Sequence, residues 1–295
     1  MENIVIANVC GLCAGCKRTI NLVKEAIDKY GDVTIFKEIV HNTNVNNMMC
    51  EWGAKTETEL TNLKPNSQVI IRAHGEPIKT FNYLKEKGIS YVDGTCPNVA
   101  RIHNLVHEYS QKGYDVVIIG KHKPLTHPEV EGTIGWVTTN CFVVQDSDDV
   151  NELFSKINNK LYLVCQTTFN MAHADELIDL ITNLSLKNNV ELVVNKSICN
   201  AQKQINLSSV EMAKNVDVVI VVGGKKSSNS KELYNNIKTI CPAIFIENVN
   251  DYKNELNNQN IVITKNTKIG LTAGASTLKE ELIELKQLIQ NDLNK

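Results

Sequence analysis

Val216-Asp-Val-Val-Ile-Val-Val-Gly-Gly-Lys-Lys-Ser-Ser-Asn-Ser230 holds the architecture in miniature. Its opening run is almost wholly β-branched and aliphatic, which suits a strand covered on both faces. Two glycines and a row of hydroxyl and amide donors follow, and a helical period begins near Lys231. Strand, polar tip, helix is the half-unit from which parallel sheets are built. The order recurs along the whole chain. Strands are predicted at Ile4–Asn8, Val33–Val40, Gln68–Ala73, Val116–Gly120 and Phe142–Gln145, then at Leu161–Gln166, Glu191–Asn195, Val216–Val222, Ala243–Glu247 and Ile269–Thr272. Helices are predicted at Cys16–Lys29, Ile78–Lys87, Val99–Lys112 and Ala174–Leu184, then at Gln202–Lys214, Lys231–Ile240 and Leu278–Leu288. Such alternation predicts an α/β protein with mostly parallel sheets.

The 295 residues are enough for two or three domains. A net charge of −2 without a basic block argues against a nucleic-acid surface. The longest apolar runs fall well short of a membrane span, so no membrane partner is expected. Met1 leads almost directly into Ile4–Ala7 with no secretory signal pattern, and the expected location is the cytoplasm. In a reducing compartment nine cysteines point to packed thiols, a metal centre or a catalytic thiol rather than disulfides. Cys50, Cys141, Cys165 and Cys241 sit singly in unremarkable segments and read as small packed hydrophobes.

The reactive residues gather at strand tips: Cys13, His41, His74, Cys96, Thr167, Cys199, the Ser227–Ser230 stretch and Ser276. Open α/β sheets bind ligands beyond the carboxyl ends of their strands. Cys13 (Gly-Leu-Cys-Ala-Gly), Cys96 (Asp-Gly-Thr-Cys-Pro) and Cys199 (Ser-Ile-Cys-Asn-Ala) lie in tight polar turns that suit a soft metal centre, although three unrelated cysteines would look the same. Cys10-x-x-Cys13-x-x-Cys16 is a rival ligand run that lacks a fourth local partner. His127-Pro-Glu-Val-Glu-Gly-Thr133 sets an imidazole beside two carboxyl groups; a buried carboxyl can deliver protons, while an exposed one is simply a helix-start charge. His103 and His107 are spaced for zinc but lack a third ligand, and read as packing or surface residues. The turns at 223–230 and 272–276 offer donors to an anion, or merely cap helices.

With these residues in place the chain resembles the 4-hydroxy-3-methylbut-2-enyl diphosphate reductase family of the methylerythritol phosphate route to isoprenoids. The resemblance runs nearly end to end. It rests on Cys-Ala-Gly at 13–15, Val-His-Asn at 40–42, Ala-His-Gly at 73–75, Thr-Cys-Pro at 95–97 and His-Pro-Glu-Val-Glu-Gly-Thr at 127–133. It continues through Gln-Thr-Thr at 166–168, Ile-Cys at 198–199, Ser-Ser-Asn-Ser at 227–230 and Thr-Ala-Gly-Ala-Ser at 272–276. It implies three pseudo-symmetric α/β units (14–96, 97–194, and 195–295 plus 1–13) in a cloverleaf around a central [4Fe–4S] cluster held by Cys13, Cys96 and Cys199. It implies that His41, His74, His127, Ser227, Ser228, Asn229 and Ser276 surround a diphosphate, while Glu129 with Thr167 protonates the allylic hydroxyl. An external donor such as ferredoxin or flavodoxin would supply electrons.

The chain also departs from the family pattern. Cys10-Gly11-Leu12 stands where Arg-Gly-Phe is usual, and Cys16 replaces a typical valine. The loop Lys121–Thr126 is longer, and Cys199-Asn-Ala-Gln-Lys-Gln-Ile-Asn206 places Gln202 at a threonine position near the diphosphate. Gln202 can still donate through its amide. These departures leave room for a divergent [4Fe–4S] reductase of another hydroxylated or unsaturated substrate. The local cysteine run keeps open an iron–sulfur electron carrier or redox sensor.

Overall fold

The computed structural model describes residues 3–40 and 42–294. The chain opens with β1 (Ile4–Ile6), α1 (Ala14–Tyr30), β2 (Val33–Phe36), α2 (Thr43–Glu51), β3 (Lys55–Glu57), β4 (Gln68–Ile71), α3 (Ile78–Glu86) and β5 (Ser90–Asp93). It continues with α4 (Pro97–Gln111), β6 (Asp115–Ile119), α5 (Pro128–Ile134), β7 (Cys141–Val144), α6 (Ser147–Leu153), β8 (Lys160–Cys165), α7 (Met171–Lys187) and β9 (Glu191–Asn195). It closes with α8 (Asn200–Ala213), β10 (Val218–Val222), α9 (Ser228–Lys238), β11 (Ala243–Ile246), α10 (Tyr252–Asn258), β12 (Ile269–Ala273) and α11 (Lys279–Asn294).

The strands form three four-stranded sheets, ordered β3-β2-β4-β5, β7-β6-β8-β9 and β11-β10-β12-β1. All their pairings are parallel. Each sheet has one order: the second strand lies outside the first, and the third and fourth lie on its other side. In the last sheet the fourth place is taken by β1 from the other end of the chain. By its contacts the chain divides into two compact units, residues 1–21, 40–53 and 200–295, and residues 22–39 and 54–199.

Burial follows the pattern that made the strands legible. Every residue of β10 is buried. Val218, Ile220 and Val222 pack on Tyr252 and Leu256 of α10 and on Leu282, Leu285 and Ile289 of α11. Val219 and Val221 pack on Ile205 and Met212 of α8 and on Leu233 and Ile237 of α9. In the second unit Val117, Ile119, Leu161 and Leu163 meet α6 and α7, while Val116, Ile118, Tyr162 and Val164 meet Ile102, Val106 and Val130. Alternate residues of one strand therefore feed two cores.

Six elements go beyond the sequence reading. β3 is three polar residues at a sheet edge, and β5 is a short Ser-Tyr-Val-Asp strand ahead of Cys96. The others are α2, α5, α6 and α10. α2 is rich in asparagine, a weak helix former. It is started by Asn42, whose side chain accepts from the Val45 N–H, and anchored by buried Val45 and Met49. α5 contains Pro128 and Gly132 in seven residues, yet proline at the first helical position is well tolerated. Cys50 corrects another expectation: it is exposed on α2 rather than packed.

Candidate active site

The chemistry sorts by strand position. In each sheet the loops after the first and third strands flank the point where the strand order reverses, the usual ligand position in open α/β sheets. His74 follows β4, His127 and Glu129 follow β6, Thr167 follows β8, Ser227 and Asn229 follow β10, and Ser276 follows β12. The three candidate ligand cysteines follow the fourth strand instead: Cys96 after β5, Cys199 after β9 and Cys13 after β1. His41 lies outside the described residues, and Ser228 is placed here only as the first residue of α9.

Each of these cysteines is half-buried and stands immediately before a helix. Cys96 caps α4 ahead of Pro97, and its N–H donates to Ala73 O at 2.9 Å. Cys199 precedes α8, its N–H donates to Thr167 O at 2.8 Å, and its sulfur accepts from Asn98 Nδ2 at 3.3 Å. Cys13 precedes α1, its N–H donates to Ala275 O at 3.0 Å, and its sulfur accepts from the Cys16 N–H at 3.5 Å. Hydrogen bonding from the Cys16 side chain, joined by backbone N–H groups and working against burial, draws the Cys13 thiol down to about 6. A helix N-terminus favours thiolate, the form that binds iron.

The other cysteines differ. Burial pushes Cys141 and Cys165 up to about 12 and also raises Cys10, whose sulfur donates to Ala7 O. Among the described residues no three His, Cys, Asp or Glu side chains gather as a single metal ion requires. His107 meets Trp136 O through Nδ1 and the Gln111 amide through Nε2, each at 3.0 Å. His103 is instead buried and stacked on Trp136, with rings 5.3 Å apart, and burial lowers it to about 4.

Glu129 is the buried acid. It sits in close packing among Ile102, Ile118, Val130, Thr133, Cys165 and Gln166, with no room for a water, and desolvation raises it to about 7 against the pull of two hydrogen bonds. Those bonds come from Thr167, whose N–H donates to Oε1 at 2.6 Å and whose hydroxyl donates to Oε2 at 2.7 Å. Because Thr167 O also accepts the Cys199 N–H, acid and candidate ligand are both hydrogen-bonded to Thr167. His127 caps α5 by accepting the Glu129 N–H on Nδ1 at 3.2 Å. The His74 ring lies edge-on to His127, with centroids 5.4 Å apart.

In the other unit Ser227 caps α9, accepting from the Ser230 N–H, and the Ser230 hydroxyl donates to Ser227 Oγ at 3.1 Å. The β10 and β12 tips close tightly on Ser230: a Cβ on Gly274 would stand 2.0 Å from its hydroxyl oxygen. Gln202 Nε2 donates to Asn229 O at 3.5 Å. Gln202 Oε1, Asn229 Oδ1 and Ser276 Oγ are buried without a hydrogen-bond partner. Such groups cost stability unless something binds them, and amides can turn to present N–H instead. Sequence reasoning missed Asn98, because nothing local links it to a cysteine 101 positions away.

Parallel sheets carrying half-buried thiols, a buried acid and hydroxyl-rich turns on their strand-tip loops are the frame of an α/β enzyme. Residues 4–290 match the family model described as LytB protein, and the chain belongs to that family. It is 34% identical over 291 residues to 4-hydroxy-3-methylbut-2-enyl diphosphate reductase of Clostridioides difficile (strain 630), covering 98% of this chain and 99% of that one. It is also 34% identical over 288 residues to the enzyme of that name from Helicobacter pylori (strain Shi470), covering 97% and 98% of the two chains. Among solved structures, the E-1-hydroxy-2-methyl-but-2-enyl-4-diphosphate reductase from Plasmodium falciparum aligns with a TM-score of 0.82 at 29% identity, over 99% of this chain and 88% of that one. A structure of (E)-4-hydroxy-3-methyl-but-2-enyl diphosphate reductase, described as the terminal enzyme of the non-mevalonate pathway, aligns with a TM-score of 0.74 at 30% identity. That match covers 99% of this chain and all of the other.

Proposed function

We propose that the protein reduces 4-hydroxy-3-methylbut-2-enyl diphosphate to isopentenyl and dimethylallyl diphosphates, taking two electrons and two protons and releasing water. In this reading Cys13, Cys96 and Cys199 hold a [4Fe–4S] cluster, one from the loop after the fourth strand of each sheet, and the chain divides into units 14–96, 97–194 and 195–295 plus 1–13. The donor set fits: three half-buried thiols at helix starts, one of them already shifted toward thiolate. A cubane keeps its ligand sulfurs on separate corners, so it does not need the tight constellation of a single ion. When bound, it supplies electrons and an iron with an open position that acts as a Lewis acid on the leaving oxygen.

Glu129 carries the reading. An acid near 7 still holds its proton at neutral pH and can give it up there. Thr167 fixes both carboxyl oxygens, so the proton is presented from one direction. His41, His74, His127, Gln202, Ser227, Ser228, Asn229 and Ser276 are assigned to the diphosphate, and the buried unpartnered atoms of Gln202, Asn229 and Ser276 support that assignment. Oriented donors in a closed site favour an anion without paying reorganisation in water. Ferredoxin or flavodoxin is the proposed donor. None of the nine cysteines forms a disulfide, which supports a cytoplasmic enzyme.

Gln202 favours a second reading. Its amide is held by the Asn229 carbonyl, so a longer group stands where the family has threonine, and this shape would suit another hydroxylated substrate reduced at the same cluster. Anaerobic turnover with a reduced mediator and the butenyl diphosphate separates the two. Formation of both five-carbon diphosphates supports the proposal. A loaded cluster with no water-loss product contradicts it and favours the second reading.

A further inference from the structure

Beside the His74 turn lies a buried charge cluster that the reading above leaves without a task. Glu76 is fully buried, and each of its carboxyl oxygens faces a cation: Lys37 Nζ lies 2.9 Å from Oε2, and Arg72 Nε lies 2.7 Å from Oε1. The Arg72 side chain is 7% exposed and that of Lys37 27%. Two cations against one carboxylate leave one net positive charge at a largely buried site, with only Lys37 reaching water. Buried ion pairs are often no more stable than an apolar replacement, so this one calls for a use. Lys37 also adopts a left-handed backbone (φ 63), unusual for a side-chain-bearing residue, with its N–H donating to Glu57 O at 2.8 Å.

The cluster brackets His74. Arg72 and Glu76 stand on either side of the turn, and the Gly75 N–H donates to Arg72 O at 3.0 Å. Trp136 Nε1 donates to Glu76 O at 3.0 Å, which ties the turn to the segment after α5. Gly75 has a positive φ of 73, and a Cβ there would stand 2.5 Å from the His103 ring. A Cβ on Gly132 of α5 would lie 3.3 Å from Gly75 O. The turn bearing His74 is thus seated on the helix bearing Glu129. Lys37 and Arg72 follow β2 and β4, the two strands between which the order of their sheet reverses.

We propose that the Lys37–Glu76–Arg72 cluster positions the His74 turn against α5 and lends that end of the pocket one positive charge, which draws the anionic substrate from a distance. The proposal rests on the diphosphate reading. These are positioning residues, acting through His74 and through the field.

Lys37 is the group to vary, being the most exposed of the three. Lys37→Met leaves a neutral Arg72–Glu76 pair, Lys37→Arg keeps the charge, and Lys37→Gln serves if the methionine variant does not fold. The cluster-loaded full chain is titrated with inorganic pyrophosphate at low and high salt, and kcat and KM are measured with the butenyl diphosphate. The neutral variants are expected to weaken pyrophosphate binding and raise KM roughly tenfold at low salt, less at high salt, with kcat nearly kept. Lys37→Arg is expected to restore both. Folded neutral variants with unchanged Kd and KM overturn the proposal, as does an arginine variant as weak as the methionine one. Wild-type protein that neither binds pyrophosphate nor turns over the diphosphate contradicts the underlying function instead.

Discussion

At the scale of single residues the account turns on Glu129. Its replacement by glutamine keeps the shape and one acceptor for the Thr167 N–H, reverses the bond to the Thr167 hydroxyl, and removes the proton. We expect Glu129→Gln to retain a full iron and sulfide load while kcat falls by about 10²–10⁴. Wild-type turnover should fall as pH rises through about 7, because the acid empties there. The same shift has a consequence for stability. A carboxyl raised from 4.5 to about 7 in the folded state keeps its proton when the unfolded chain has lost it. Its contribution is complete below 4.5 and is lost as pH rises through about 7, a change of roughly 3 kcal/mol. Chemical denaturation at pH 4.5 and pH 8 should show that loss in wild type and its absence in Glu129→Gln. Equal pH dependence in the two would remove Glu129 as the group responsible.

At the scale of elements, the tips matter more than the strands behind them. Gly274 follows β12 at a point where a side chain would meet the Ser230 hydroxyl. Gly274→Ala should cost about 1–3 kcal/mol, read as a lower urea midpoint, and weaken pyrophosphate binding because the Ser227–Ser230 bond must shift. Unchanged affinity would detach this turn from the diphosphate. Cys10→Ser and Cys16→Ser should both keep the cluster, since neither residue stands immediately before a helix as Cys13, Cys96 and Cys199 do; loss of iron in either would revive the local cysteine run. The buried strands were legible because runs such as Val218–Val222 are apolar on both faces. β3 was not, because Lys-Thr-Glu at an edge carries no apolar pattern, and α5 hid behind a proline and a glycine that read as a turn. The tip residues were legible as chemistry out of place. The bonds from Asn98 to Cys199 and from Gln202 to Asn229 were not, since such pairings arise only when distant helices fold together.

At the scale of the whole molecule, one strand order is used three times, and the chain's two ends meet in the third sheet. That repetition assigns tasks by position: loops at the strand-order reversal carry histidine, acid and hydroxyl groups, and loops after each fourth strand carry a cysteine. Three sheets give three cysteines, one fewer than the irons of a [4Fe–4S] cluster, and the proposed reaction depends on the iron left over. Mössbauer spectroscopy of the ⁵⁷Fe-loaded, anaerobic protein tests it most directly. We predict a [4Fe–4S] spectrum in which one iron of the four is distinct and shifts when the butenyl diphosphate is added. Four alike, sulfur-saturated irons that ignore the substrate would contradict the account.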